Sequence, residues 1–101
     1  MFYNSYHKIE NISNPKAPER IYTVVGNICE TDTFAWDRKI TEIREGDILV
    51  FRNAGAYGFE MSSNFNSRLK PAEILFLNGK AHHIRKRDAF EELLKKQIEV
   101  W

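Results

Sequence analysis

Apolar positions along this chain fall in short runs broken by turn-forming residues, the pattern of strands rather than of long helices. Residues 2–9 read as a first strand. Residues 11–20 carry Pro15 and Pro18 among polar side chains and read as a loop. Ile21, Tyr22, Thr23, Val24 and Val25 are β-branched or aromatic, which predicts a buried strand. Residues 31–45 show no clean period and read as irregular, with Phe34, Trp36, Ile40 and Ile43 as apolar anchors. Glu45-Gly46-Asp47 is a turn, and the run from Ile48 to Phe51 is a further strand.

Residues 54–61 place glycines on both sides of Tyr57, a mark of a bulge or of backbone open to a ligand. Asn78-Gly79 then separates two strand-like runs, residues 74–77 and 80–86. That dipeptide favours the left-handed conformations of a two-residue hairpin turn. The chain closes with a helical pattern. Asp88 and Glu91 have the spacing of a capping box, and Phe90, Leu93, Leu94 and Ile98 share one face. A mainly β domain follows, a small barrel or sandwich with a short helix at its end.

Composition narrows the function classes. With 101 residues there is room for one small domain. Lys and Arg number 15 against 14 Asp and Glu, a formal charge of +1, so no global field points to nucleic acid or an anionic membrane. No apolar run approaches the ~20 residues of a membrane-spanning helix. A single cysteine forms no internal disulfide, which fits a reducing, cytoplasmic setting. The chain opens in aromatic, strand-like sequence without a polar lead-in, and we expect a larger protein upstream.

The chemistry-bearing residues are few. Cys29 stands where an apolar strand runs out into a polar loop, with Glu30 directly after it. A lone cysteine is commonly a small buried hydrophobe. As a functional group, a thiol with an ordinary pKa of about 8.5 donates a proton near neutral pH. A nucleophilic role would require a histidine base, and nothing in the sequence fixes His7, His82 or His83 beside Cys29. Glu30 reads either as a solvated acid or as a partner for a substrate ammonium. Tyr57 reads either as a core aromatic or as a hydroxyl beside open backbone, and Tyr3 as a strand aromatic. The run from His82 to Arg87 is basic, but in a strand its alternate side chains face opposite ways, which favours a solvated edge.

The segments in order resemble the C-terminal β domain of diaminopimelate decarboxylase, among the pyridoxal-phosphate decarboxylases with an alanine-racemase-like barrel. The resemblance runs from Phe2-Tyr3-Asn4-Ser5-Tyr6-His7 through Val25-Gly26-Asn27-Ile28-Cys29-Glu30 and Asn53-Ala54-Gly55-Ala56-Tyr57-Gly58. It continues through Met61-Ser62-Ser63-Asn64-Phe65-Asn66-Ser67-Arg68 and Pro71-Ala72-Glu73-Ile74-Leu75. It implies a small Greek-key-like β-barrel with a short C-terminal helix over residues 1–101. The N-terminal TIM-like barrel that carries the cofactor's lysine is outside the chain.

By that resemblance the active site forms at a homodimer interface, and the amino-acid substrate meets residues of both subunits. Cys29 is then the catalytic proton donor, reaching towards the partner subunit. Glu30 binds the substrate's distal amino group. Tyr57 contacts both pyridoxal 5′-phosphate and substrate, and Tyr3 helps hold the distal carboxylate. Glutamate after the cysteine separates this branch from ornithine-type decarboxylases, which tend to carry aspartate there. Carboxynorspermidine decarboxylase is a further relative, with a different loop. The family commonly follows Cys-Glu with serine, glycine and aspartate, where this chain has Thr31, Asp32 and Thr33. The isolated domain is expected to be inactive, and a non-catalytic binding module of the same fold is the alternative. The resemblance also implies a strand supplied from the far N-terminus of the whole protein, without which the domain is expected to self-associate.

Overall fold

The computed structural model describes residues 5–28 and 32–100. It divides into two compact units, Met1–Met61 and Ser62–Trp101. The first unit is built from four strands: β1 (Ile9–Asn11), β2 (Glu19–Val25), β3 (Thr33–Thr41) and β4 (Leu49–Phe51). β1 pairs antiparallel with β4, with Ile9 opposite Phe51, and β2 pairs antiparallel with β3. Ile9, Ala35 and Ile40 are buried at its centre, and Tyr22, Val24, Ile43, Leu49 and Phe51 pack around them. β1 alternates: Ile9 and Asn11 face in, while Glu10 turns out to pair with Arg52 and Lys8.

β3 occupies a stretch whose sequence predicts irregular backbone. It gives nine residues to β2's seven. Register slips once between Tyr22 and Val24 and again between Val24 and Val25, so β3 carries an extra residue at each place. The first slip lies beside Asp37, whose φ is 47°. Buried Ala35 and buried Ile40 are therefore an odd number of residues apart yet share the core. A strict two-residue alternation cannot connect them, and this hides the strand from pattern reading.

Of the first strand expected over residues 2–9, residues 2–4 lie outside the described residues, and the described part is shorter than expected. Residues 5–8 are outside any strand, and β1 begins at Ile9. Tyr6 and His7 are held by side chains instead. The Arg38 guanidinium lies 4.0 Å from the centre of the Tyr6 ring. Its Nη1 donates to the His7 carbonyl at 2.9 Å. His7 is buried, with Nδ1 3.2 Å from the Arg52 carbonyl. The loop expected over residues 11–20 is shortened at both ends, by Asn11 in β1 and by Glu19 and Arg20 in β2. Buried Asn11 organises what remains: its Oδ1 accepts from the amides of Ser13 and Asn14, and its Nδ2 donates to the Glu42 carbonyl and to Asp47.

In the second unit, β5 (Glu73–Leu77) and β6 (Lys80–Arg85) form an antiparallel hairpin. Its turn residues Asn78 and Gly79 have φ of 51° and 75°, the two left-handed positions the sequence predicts. Helix α1 is Phe90–Leu94, five residues long. The expected capping box does not form. The cap position is Ala89, with no side-chain bond, because the Asp88 carboxylate is engaged by the Lys70 amide and by Asn64. Ile98 lies beyond the helix and is exposed, so the predicted apolar face stops at Leu94.

The fold is thus mainly β with one short helix. Among the described residues the strands pair two by two, β1 with β4, β2 with β3 and β5 with β6, and no closed barrel forms. The bulges in β3 break its ladder, and β1 and β4 are three residues each, too short to carry pairing further.

Candidate functional site

Two segments of the first unit carry the residues singled out from the sequence. One is the loop between β2 and β3. Cys29 and Glu30 lie in it, outside the described residues, as does Tyr3 near the start of the chain. The flanks of the loop are described. The Gly26 amide donates to the Asp32 carbonyl at 2.7 Å. The Ile28 amide donates to Asp32 Oδ2 at 2.9 Å. The Asp32 carboxylate lies against the Gly26 Cα, where a Cβ would collide with Oδ2, Cγ and Oδ1. Glycine is required here by close approach, with the carboxylate filling the space a side chain would take. Sequence reasoning left Asp32 without a role, and the available signal for its contact was a glycine six residues before an acid.

The second segment holds Tyr57. β4 ends at Phe51, and the chain enters a turn in which Asn53 and Tyr57 have φ of 53° and 56°. The Phe59 amide donates to the Ala54 carbonyl at 2.7 Å, and the Glu60 amide to the Gly55 carbonyl at 2.9 Å. These two bonds wrap the backbone around Tyr57. A Cβ on Gly58 would strike the Ala54 carbonyl, whereas a Cβ on Gly55 would meet nothing within 4 Å. One glycine is therefore demanded by the turn, and the other leaves backbone open. Tyr57 itself is 53% exposed. A tyrosine in the left-handed region is uncommon and costs about 1–3 kcal/mol, a strain that clusters at ligand sites. With that exposure Tyr57 is not a buried core aromatic.

The electrostatics of the described residues are mostly structural. Two amide donors hold the Asp47 carboxyl below its usual range: the Arg44 backbone first, then the Asn11 side chain. Asp88 is lowered in the same way by the Lys70 amide and then by Asn64. Arg85 in the basic run lies near Glu73 and Asp88, at 3.8 and 4.0 Å, so one of its cations is engaged within the fold. Among the described residues no group of three or more His, Cys, Asp or Glu side chains is placed to hold a metal ion. No described helix is long and apolar enough to cross a membrane.

The described residues thus give a bulged β domain with a strained tyrosine in the turn after β4. Comparison with known proteins gives its class. Residues 1–55 match the family described as pyridoxal-dependent decarboxylase, C-terminal sheet domain, and the chain belongs to that family. A diaminopimelate decarboxylase of Methanothermobacter thermautotrophicus is 48% identical over 97 residues, which is 94% of this chain and 23% of that protein. The crystal structure of diaminopimelate decarboxylase from M. jannaschii in complex with L-lysine superposes with a TM-score of 0.84 at 32% identity, covering 97% of this chain and 23% of that one. The Helicobacter pylori enzyme, also in complex with L-lysine, superposes with a TM-score of 0.80 at 38% identity, covering 92% of this chain and 23% of that one. The chain therefore spans about a quarter of the length of the relatives it matches.

Proposed function

We propose that this chain is the C-terminal β domain of a diaminopimelate decarboxylase, which releases carbon dioxide from meso-diaminopimelate and leaves L-lysine. The observation that carries the reading is the match to diaminopimelate decarboxylases across 94% of the chain. The Cys29-Glu30 pair, with its glutamate, agrees with it. The whole enzyme on this reading is a cytoplasmic homodimer. Its N-terminal barrel supplies the cofactor's lysine, and further strands from the same protein complete a Greek-key-like barrel around the sheets described above.

Each site residue has a role suited to its chemistry. Cys29 protonates the carbon from which carbon dioxide has left, a task for a weak acid held beside that carbon. Glu30 pairs with the distal ammonium of the substrate. Tyr3 and Tyr57 bind through their hydroxyls. Pyridoxal phosphate, when bound, draws electron density away from the bond that breaks. The Tyr57 turn fits such a group: Tyr57 is exposed, and the backbone at Gly55 is open to an anionic ligand.

The test is full-length protein with pyridoxal phosphate, offered meso-diaminopimelate, ornithine and carboxynorspermidine in parallel. Carbon dioxide release from diaminopimelate alone is the expected result. Preference for either other substrate moves the chain to that branch, and no release from any of them supports a non-catalytic module. In the active enzyme Cys29→Ala is expected to lower kcat much more than it raises KM, since a proton donor acts in the transition state. Glu30→Gln is expected to act chiefly on KM.

A further inference from the structure

We infer that Asp32 is a positioning residue, clasping the base of the loop that carries Cys29 and Glu30; this rests on the decarboxylase reading above. Two independent contacts make the clasp. The carboxylate accepts the Ile28 amide at 2.9 Å, one residue before Cys29. The same carboxylate occupies the space over Gly26 that any side chain would fill. A backbone bond from the Gly26 amide to the Asp32 carbonyl, at 2.7 Å, closes the mouth of the loop beneath them.

The chemistry gives the clasp its purpose. Three residues separate Ile28 from Asp32. With Gly26 and Ile28 both bonded to Asp32, the chain before Cys29 and the chain after Glu30 are tied to one residue. Reacting groups must be held within fractions of an ångström, and a displacement of about 1 Å can cost a hundredfold in rate. A charged acceptor on a backbone amide is roughly twice as strong as a neutral one. Glycine at 26 and aspartate at 32 are then one device, since the first makes room for the second.

The experiment compares Asp32→Ala, Asp32→Asn and Gly26→Ala in the full-length protein. Asp32→Asn keeps an oxygen that can accept the Ile28 amide. Gly26→Ala pushes the carboxylate aside while leaving every group of the loop in place. Hydrogen exchange of the peptide around Ile28 is the first readout. It is expected to quicken in Asp32→Ala and Gly26→Ala and to stay slow in Asp32→Asn. The rate of alkylation of Cys29 is the second, and is expected to change in the same two variants only. The third is kcat/KM on meso-diaminopimelate, expected to fall about tenfold or more in those two and to be largely rescued in Asp32→Asn. Unchanged exchange overturns the clasp. Quickened exchange with unchanged alkylation and unchanged kcat/KM overturns its positioning role. If the wild-type protein is inert on diaminopimelate, the decarboxylase reading fails, while exchange and alkylation still decide the clasp.

Discussion

Lys70 and Asp88 hold each other through two reciprocal bonds. The Asp88 amide donates to the Lys70 carbonyl at 3.0 Å, and the Lys70 amide donates to Asp88 Oδ2, also at 3.0 Å. Asn64 adds a third bond to the same carboxylate. One aspartate thus ties together the segment after Met61, the approach to β5 and the entry to α1. Asp88→Ala removes the acceptor from two donors at once. It is expected to lower the Tm of the second unit by roughly 4–8 °C, measured by calorimetry or circular dichroism. Asp88→Asn, which keeps one oxygen, is expected to lie between the variant and wild type.

Part of the acid stability of the protein follows from the same bond and its counterpart at Asp47, and Glu10, lowered first by its bond to Arg52, adds to it. Both aspartate carboxyls are lowered from an ordinary value of 3.8, by the Lys70 amide at Asp88 and the Arg44 amide at Asp47. A group whose pKa is lower when folded favours the folded state above its unfolded pKa. That contribution is complete above about pH 5 and is lost as pH falls through the lowered folded values. Denaturant midpoints are therefore expected to be flat from pH 7 to 5 and to fall below pH 4. Asp47→Asn and Asp88→Asn together are expected to flatten that fall, and an unchanged slope in the double variant would show the protons are taken up elsewhere.

Tyr22 carries a bond that its strand position conceals. Its hydroxyl accepts the Ile43 amide at 2.8 Å, pinning the segment after β3 back onto β2. Tyr22→Phe leaves that amide without its acceptor and is expected to destabilise by about 1–3 kcal/mol in chemical denaturation. The packing of the ring around Ile9, Ala35 and Ile40 is unaffected by that change.

How much of this was legible in sequence depends on whether a feature is local. Asn78-Gly79 sets its own φ angles, so the hairpin and its turn could be read directly. The strands at β2 and β4 were equally plain, but the burial expected of β2 is not found: Ile21 and Val25 are exposed, and only Tyr22 and Val24 are half-buried. β3 was not, because its bulges shift the phase of alternation, and the partner strand that accommodates them is not visible in the run itself. The capping box failed for a related reason: Asp88 had a stronger offer from two distant donors than from the first turn of a five-residue helix. At the site, the glycines around Tyr57 announced unusual backbone correctly, whereas the role of Asp32 depends on a contact with Gly26 that only folding creates.

Asp37 gives a direct test of the bulge. Its φ of 47° is one that aspartate tolerates and β-branched residues resist. Its amide lies 3.4 Å from the Thr23 hydroxyl across the strand pair. Asp37→Gly is expected to be neutral within about 1 kcal/mol, relief of backbone strain offsetting added freedom in the unfolded chain. Asp37→Val is expected to destabilise by about 1–2 kcal/mol or more, since the left-handed region costs that much for an ordinary side chain. If valine is tolerated as well as glycine, the extra residue can be absorbed elsewhere in β3 and the bulge is not fixed at this position.

Tyr57 separates strain from function most cleanly. Its φ of 56° costs the fold whatever its ring does, and the bonds from Phe59 to Ala54 and from Glu60 to Gly55 hold it there. Tyr57→Gly removes the strain and the ring together. Tyr57→Phe keeps the strain and the ring but deletes the hydroxyl. If the tyrosine serves a ligand, kcat/KM in the full-length enzyme is expected to fall about a hundredfold with glycine. Phenylalanine is expected to lower kcat/KM by about ten- to hundredfold, the range for losing one hydrogen bond of about 1.5–3 kcal/mol to a charged ligand. The spectrum and binding constant of pyridoxal phosphate, measured on both variants, divide a cofactor contact from a substrate contact. A phenylalanine variant with full activity would leave the ring as a wall of the site and its hydroxyl without a part in binding.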